Sequence, residues 1–215
     1  MLNMKVCQIK TSTGRLLPLV VILKQVQENN IVVDKQLTSE WCKRCGMFGG
    51  GGCTPYAPDY DKSFRGKYKH YYILLFIYDL NVWLSEKQKQ SKNVAFFALG
   101  YSEPIMTRLL QKVYRLFDKG KVLSVGFCNH CRPCVVRVNH EPCKKPKERM
   151  NSLESTGILV ERLLINEKLG CLYWANHKEK YIPDKFKKVM LYMSNEPLDE
   201  DKFWCDFSKL VYTIE

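Results

Sequence analysis

Several absences narrow what this sequence can encode. No stretch reaches the ~18 uncharged apolar residues that a membrane-spanning helix needs. The longest apolar runs, Leu16 to Leu23 and Tyr71 to Tyr78, have the length of core elements. The opening Met1 to Cys7 lacks the charged-then-apolar order of an export signal. That sets the expectation of a reducing cytoplasm, where clustered cysteines favour metal over disulfide; a disulfide scaffold is the alternative. No phosphate-binding Walker loop, Rossmann fingerprint, serine nucleophile elbow or His-Glu-x-x-His zinc signature occurs. Internal repeats and low-complexity tracts are missing apart from two cysteine clusters and the glycines Gly49 to Gly52. Acidic residues are in short supply: 22 against 34 lysines and arginines, a formal charge of +12. Such an excess suits an anionic partner, whether nucleic acid, an acidic redox protein or an anionic small molecule. It equally suits compensation of thiolates at a metal centre.

What is present is an ordinary globular composition, 46% hydrophobic and 26% charged over 215 residues. This is enough for one domain, 1–215, with a core of normal size. Residues 3–10 alternate as a strand and Thr11 to Gly14 as a turn. Leu16 to Asn29, apolar and without a breaker after Pro18, reads as a helix, and Ile31 to Val33 as a short extended piece before a cysteine-bearing loop. Lys67 to Leu84 reads as a buried strand running into a helix, Lys87 to Lys92 as a polar loop and Ala95 to Leu99 as a strand. A helix over 103–117, capped by Ser102 and ended by Asp118 to Gly120, leads to a strand over 122–127 and a second cysteine loop. A helix from Asn151-Ser152 to about Glu167, stopped by Gly170, precedes closing strands over 171–175 and 189–193. The interleaving predicts an α/β or α+β domain: a mixed sheet with flanking helices and two inserted cysteine-rich metal-binding loops.

Seven of the ten cysteines fall in those two loops. Cys128, Cys131, Cys134 and Cys143 are spaced C-x2-C-x2-C-x8-C, with Pro146 following. Thiolates two residues apart wrap successive corners of a cubane, and a more distant fourth closes it, so a [4Fe–4S] cluster is the expected cofactor. Zinc, which prefers two C-x2-C pairs with a longer spacer, is the alternative. His130 and His140 lie inside this run, where hydrogen bonding to sulfur or simple exposure competes with ligation. Cys42, Cys45 and Cys53 supply three thiolates beside the glycine run, which suits a cluster with an open iron, a fourth ligand from elsewhere, or zinc. Cys7 is the first candidate for that fourth ligand, followed by Cys171 and Cys205, although lone cysteines mostly serve as small buried hydrophobes. The strands entering the loops are expected to bring both sulfur groups to one side of the core, with Gly49 to Gly52 at the more exposed site.

Three further groups bear weighing. Glu154 and Gly157 read as a helix start near the metal, with Glu154 favouring the dipole. Lys144, Lys145, Lys147 and Arg149 around Cys143 form either a docking patch or charge balance for an anionic cluster. Arg65, Lys67, Lys69 and His70 interleave with Tyr68, Tyr71 and Tyr72, as in single-strand binders or as in half-buried strand tyrosines.

These motifs resemble a family of predicted metal-binding proteins from archaea and anaerobic bacteria, domain of unknown function 2284. The resemblance rests on Cys42, Cys45, Gly46, Cys53, Pro55 and Pro58, then on Cys128, Cys131, Cys134, Cys143 and Pro146, and on the segment Ser152 to Ile158. Thr54 stands where the family motif has a proline, and Ser155 where it has an alanine. The resemblance implies metal binding and iron–sulfur ligation, with no agreed activity. Three functions stay open: an electron-transfer accessory, a zinc-stabilised nucleic-acid-binding protein, and an enzyme that binds substrate at an open iron.

Overall fold

The apolar run ending at Tyr78 forms the middle of the molecule, because its side chains meet protein on both faces. The computed structural model describes residues 2–45, 48–90, 93–126, 128, 130–131, 133–172 and 184–213. Among the described residues seven strands form one mixed sheet in the order β5-β4-β6-β3-β2-β1-β7. They are β1 (Leu2–Lys10), β2 (Leu16–Val26), β3 (His70–Tyr78), β4 (Lys121–Ser124), β5 (Asn151–Ser152), β6 (Phe186–Ser194) and β7 (Tyr212–Thr213). Neighbours are antiparallel except β4 and β5, which run parallel. The helices are α1 (Lys35–Lys43), α2 (Tyr60–Ser63), α3 (Leu80–Trp83), α4 (Glu86–Lys89), α5 (Val94–Tyr114), α6 (Val135–Val138), α7 (Leu153–Thr156), α8 (Val160–Asn166) and α9 (Glu200–Ser208). The mixed α+β architecture expected from the sequence is the one observed.

Alternation along β3 divides the core in two. Tyr72, Leu74, Phe76 and Tyr78 point into a cluster shared with α5 and α9, through residues such as Met106, Leu109 and Phe207. Tyr71, Ile73 and Leu75 point to the opposite face, where Leu153, Ile158, Leu163 and Leu164 of the α7–α8 region cover the sheet. A strand buried on both faces has no polar positions to spare, which is why this run carries no alternation in its composition. Trp83 closes one end of the first cluster: it is fully buried, stacks on Tyr78 at 4.5 Å, and donates its indole N–H to Pro18 O at 2.8 Å.

The structure corrects several expectations. Leu16–Val26 is strand β2, not a helix. Leu17, Leu19, Val21 and Leu23 are buried at a period of two, and the β-branched Val20, Val21 and Ile22 suit a pleated surface. Pro18 is tolerated because the β2–β3 ladder begins only at Val20, so its missing N–H leaves no gap on that side. Residues 95–99 are not a strand; they belong to α5, which starts nine residues before Glu103 and continues through Pro104. Ser102 is therefore buried inside this helix and is not its cap. The sheet face under α5 rewards one long apolar helix enough to override the break that Pro104 favours locally.

The helix expected over 151–167 is two helices. Ser152 does cap α7, accepting the Ser155 N–H, but Gly157 then adopts φ +108° and ends it before α8 begins. Residues 87–89 lie in α4, where Ser85 and Gln88 form a reciprocal capping box. Lys121–Ser124 is shorter than the strand expected over 122–127. Cys171 and Leu172 are not in a strand, and the rest of the closing strand expected there lies outside the described residues. Among the described residues no helix is long and apolar enough to cross a membrane.

Replacing Trp83 by alanine removes the largest fully buried side chain among the described residues and orphans the Pro18 carbonyl. Denaturant unfolding is expected to show a loss of about 3–5 kcal/mol with an unchanged slope of the transition.

Candidate metal centre

Both cysteine loops sit at the β5 edge of the sheet, and the backbone explains how they meet. Val33 bridges Ile158, while Asp34 N–H donates to Gly157 O and Leu159 N–H to Val32 O. This docks the 31–34 segment onto the α7–α8 junction. A Cβ on Gly157 would stand 3.1 Å from Val33 Cγ1 and 3.3 Å from Lys35 Cα, so glycine is needed there for closeness as well as for its φ. Asp34 then caps α1 by accepting the Leu37 N–H at 2.8 Å, and α1 packs against α7. Cys42 accordingly rides in the last turn of α1 and not on a loop; α1 itself, with its Asp34 cap, is an element the sequence reading missed. Past the helix, Cys45 N–H donates to Cys42 O and Cys53 N–H to Gly50 O, both at 3.0 Å. Each is an i to i+3 turn that places one cysteine backbone at the close of a tight bend.

The glycine run is not the exposed side of the site. Gly50, Gly51, Gly52 and Cys53 are buried, whereas Cys45 is exposed. Gly52 lies against the other cysteine loop so closely that an added Cβ would fall 1.8 Å from Met150 O and 3.2 Å from Cys128 Cβ. The corresponding position on Gly51 is 3.3 Å from Cys134 Sγ. The Gly52 carbonyl accepts the Ser152 N–H at 3.0 Å. The Ser155 hydroxyl lies 3.0 Å from the same oxygen and shares its proton with Ser152 O at 2.8 Å. The Ser155 hydroxyl thus adds a tether between the loops.

Cys128 leads the second loop out of β4, half-buried, with the backbone N–H groups of His130 and Met150 directed at its sulfur. Cys131, Cys134 and Cys143 are likewise half-buried, and Cys134 immediately precedes α6. Burial is the first cause raising the Cys42, Cys53 and Cys128 thiols, and it pushes Cys53 up to about 12. Charge on neighbours adds to it: Cys45, Cys42, Glu154 and Cys128 for Cys53, and Cys143 and Cys134 for Cys128. Cys42, Cys45, Cys53, Cys128, Cys134 and Cys143 therefore form one electrostatic neighbourhood, with Glu154 beside Cys42 and Cys53. Glu154 accepts from the Ser152 hydroxyl at 2.7 Å, in the first turn of α7. Among the described residues no three His, Cys, Asp or Glu side chains are already gathered closely enough to hold one metal ion.

Several buried polar atoms have no hydrogen-bond partner among the described residues, and a group of them surrounds these loops: Ser124 Oγ, His130 Nε2, Arg149 Nε and Asn151 Oδ1; the Thr54 hydroxyl is directed at the Cys42 sulfur. Buried polar groups are ordinarily satisfied, so such a concentration marks a place where the chain's own atoms are not the whole set of partners. His130 packs its ring edge-on to Tyr114 at 5.9 Å, and burial holds its imidazole below the usual range. His140 is exposed, with φ 57°.

The proposed extra thiolates lie elsewhere. Cys7 is buried in the α5–α9 core, its thiol 3.5 Å from Leu19 O, and β1 is five strand positions from β5. That is on the order of 24 Å at ~4.8 Å per strand, which removes Cys7 from the ligand set. Cys205 is exposed on α9, and Cys171 is exposed beside Lys187, which donates to its carbonyl. Tyr71 and Tyr72 are buried and Tyr68 packs half-buried against the core, so the tyrosines near residue 65 are not a stacking surface, while Arg65, paired with Asp61, and Lys67 and Lys69 stay exposed.

Gly52→Ala forces the Met150 carbonyl aside and is expected to cost at least about 3 kcal/mol in denaturant unfolding, against about 1 kcal/mol for Ser155→Ala. Burial pushes the Cys7 thiol up to about 12, so its thiolate is scarce below that pH. Alkylation of the folded protein at pH 8 is therefore expected to label Cys171 and Cys205 but not Cys7, read by peptide mass spectrometry.

A search of curated proteins and a search of solved structures both return no match. The sequence profile described as "Predicted metal-binding protein (DUF2284)" matches residues 24–194, a span that contains both cysteine loops and the segments that dock them together. This chain belongs to that family of predicted metal-binding proteins.

Proposed function

We propose that the chain is an iron–sulfur protein in which Cys128, Cys131, Cys134 and Cys143 hold one [4Fe–4S] cluster and Cys42, Cys45 and Cys53 hold a second metal. Its role on this reading is electron transfer with an acidic redox partner. The observation that carries it is the apposition of the two loops, with the Gly51 Cα region against the Cys134 sulfur and Gly52 against Cys128. Two redox centres exchange electrons only when near one another, and a purely structural pair of zinc sites has no need to be in contact. The donor set suits the group: thiols, N–H groups aimed at Cys128, and surrounding polar atoms that lack partners. A bound cluster supplies one-electron chemistry whose potential follows from hydrogen bonds to sulfur and from solvent exposure.

The chain's own residues do the rest. His130 and Met150 N–H groups stabilise negative charge on the Cys128 sulfur. Gly51 and Gly52 keep the space between the loops free of side chains. Lys144, Lys145 and Lys147 are exposed around Cys143, where they balance cluster charge and present a basic rim to an acidic partner. A second reading is favoured by the removal of Cys7: the first loop then brings three cysteines of its own, the Cys42 site keeps one position for substrate, and the protein is an enzyme. The zinc-stabilised nucleic-acid-binding alternative loses the tyrosine platform it relied on.

Anaerobically purified protein is expected to be brown and to carry about four irons with equal sulfide in the first cluster, and about eight if the second site is also filled this way. Cys131→Ala is expected to lose the first cluster's share. Stoichiometric zinc without sulfide in the wild-type protein would overturn the iron–sulfur assignment.

A further inference from the structure

A groove of about 560 Å³ runs along α5 on the face away from the α7–α8 layer, and no acidic residue is among those that line it. One wall is the β1–β2 turn, residues 10–13; the other is α5, which contributes Arg108, Lys112 and Arg115. Positions 108, 112 and 115 are spaced i, i+4, i+7, so the three cations share one face of the helix. Like charges at that spacing oppose helix formation unless a counter-charge relieves them. All three are exposed, and among the described residues none has an acidic partner, although Lys24, Lys119 and Lys188 elsewhere in the molecule do.

The groove is built and not merely charged. Arg108 Nε donates to Pro104 O at 3.1 Å, which lays the guanidinium along the helix. The opposing turn is stiffened by Gly14 N–H to Thr11 O, Thr11 N–H to Arg15 O and a Thr11–Thr13 hydroxyl contact of 3.0 Å, so its hydroxyls form a fixed polar rim. Between the cationic row and the turn, Ile9, Tyr101, Ile105 and Leu109 give an apolar floor. A cationic row, a hydroxyl rim and an apolar floor in a cavity of this size match a phosphorylated molecule with an organic ring.

We propose that this groove is a binding site for a nucleotide-sized phosphorylated small molecule, with its phosphates on Arg108, Lys112 and Arg115 and its ring against Tyr101 and Ile105. The site would lie next to the second cysteine loop. Arg115 lines the groove and its charge, after burial, helps hold down the imidazole of His130, whose ring contacts Tyr114. The proposal does not depend on what metal the loops carry.

The test is calorimetric titration of the purified, metal-bearing protein with adenosine triphosphate, and separately with inorganic triphosphate, at 0.15 M salt. Arg108→Ala with Lys112→Ala is expected to weaken adenosine triphosphate binding at least about tenfold, the loss of two charge-assisted contacts. Arg108→Lys alone should retain most of it. Lys87→Ala with Lys185→Ala removes two exposed lysines outside the groove and is expected to change it by less than about twofold. Equal weakening by the two double variants, or no binding by the wild type, overturns the site. Inorganic triphosphate binding as tightly as adenosine triphosphate overturns the organic ligand, and tighter binding of a single-stranded oligonucleotide, weakened alike by both double variants, points to general polyanion attraction instead.

Discussion

The Gly52 carbonyl holds the candidate centre together. It receives the Ser152 N–H and faces the Ser155 hydroxyl, and so joins a loop near residue 50 to the start of a helix a hundred residues later. A close approach of this kind needs a residue with no side chain, because Met150 O occupies the space a Cβ would take. Once Gly52 is in place, Gly51 comes against Cys134 and Cys53 falls within the electrostatic reach of Cys128. The glycine run is therefore a contact surface, and its burial follows from its lack of side chains.

Two further constraints support that contact. The 31–34 segment, paired with the α7–α8 junction, sets where α1 begins and hence where Cys42 emerges. The doubly buried β3 and β6 fix the plane of the sheet, from which β4 and β5, paired at Ser124 and Ser152, lead into the second cysteine loop and into α7. Charge enters last. Burial favours the protonated form of the Cys42, Cys53 and Cys128 thiols, and bound metal is the ordinary means of stabilising thiolates there. Exposed cations gather around Cys143 and along one face of α5, two of the places where the +12 excess is displayed.

How far the site was legible depends on the range of the forces involved. The cysteine spacings are local facts, so both cysteine groups could be read from sequence, as could the β1 strand, the buried run at 71–78 and a helix start at Ser152. Leu16–Val26 was misread because an unbroken apolar stretch satisfies a buried helix and a two-faced strand equally; pairing with β1 and β3 decided it. Residues 95–99 were misread for the converse reason. Pro104 and Ser102 suggest a helix boundary, and only the long sheet face beneath α5 shows that the helix runs through them.

The sequence alone determined the chemistry on offer: seven thiols in two spaced groups, an excess of cations, and a glycine run that no regular element would keep. These are properties of residue type and of separations under a dozen positions. Tertiary structure decided which of them act together. It put Cys7 in the core, on the order of 24 Å away by strand count, and brought Gly52 to Met150. It also turned the 65–72 tyrosines inward and aligned Arg108, Lys112 and Arg115 opposite the β1–β2 turn. Each of these outcomes rests on contacts between residues remote in the chain, where sheet order and the fit of one surface on another outweigh local preference.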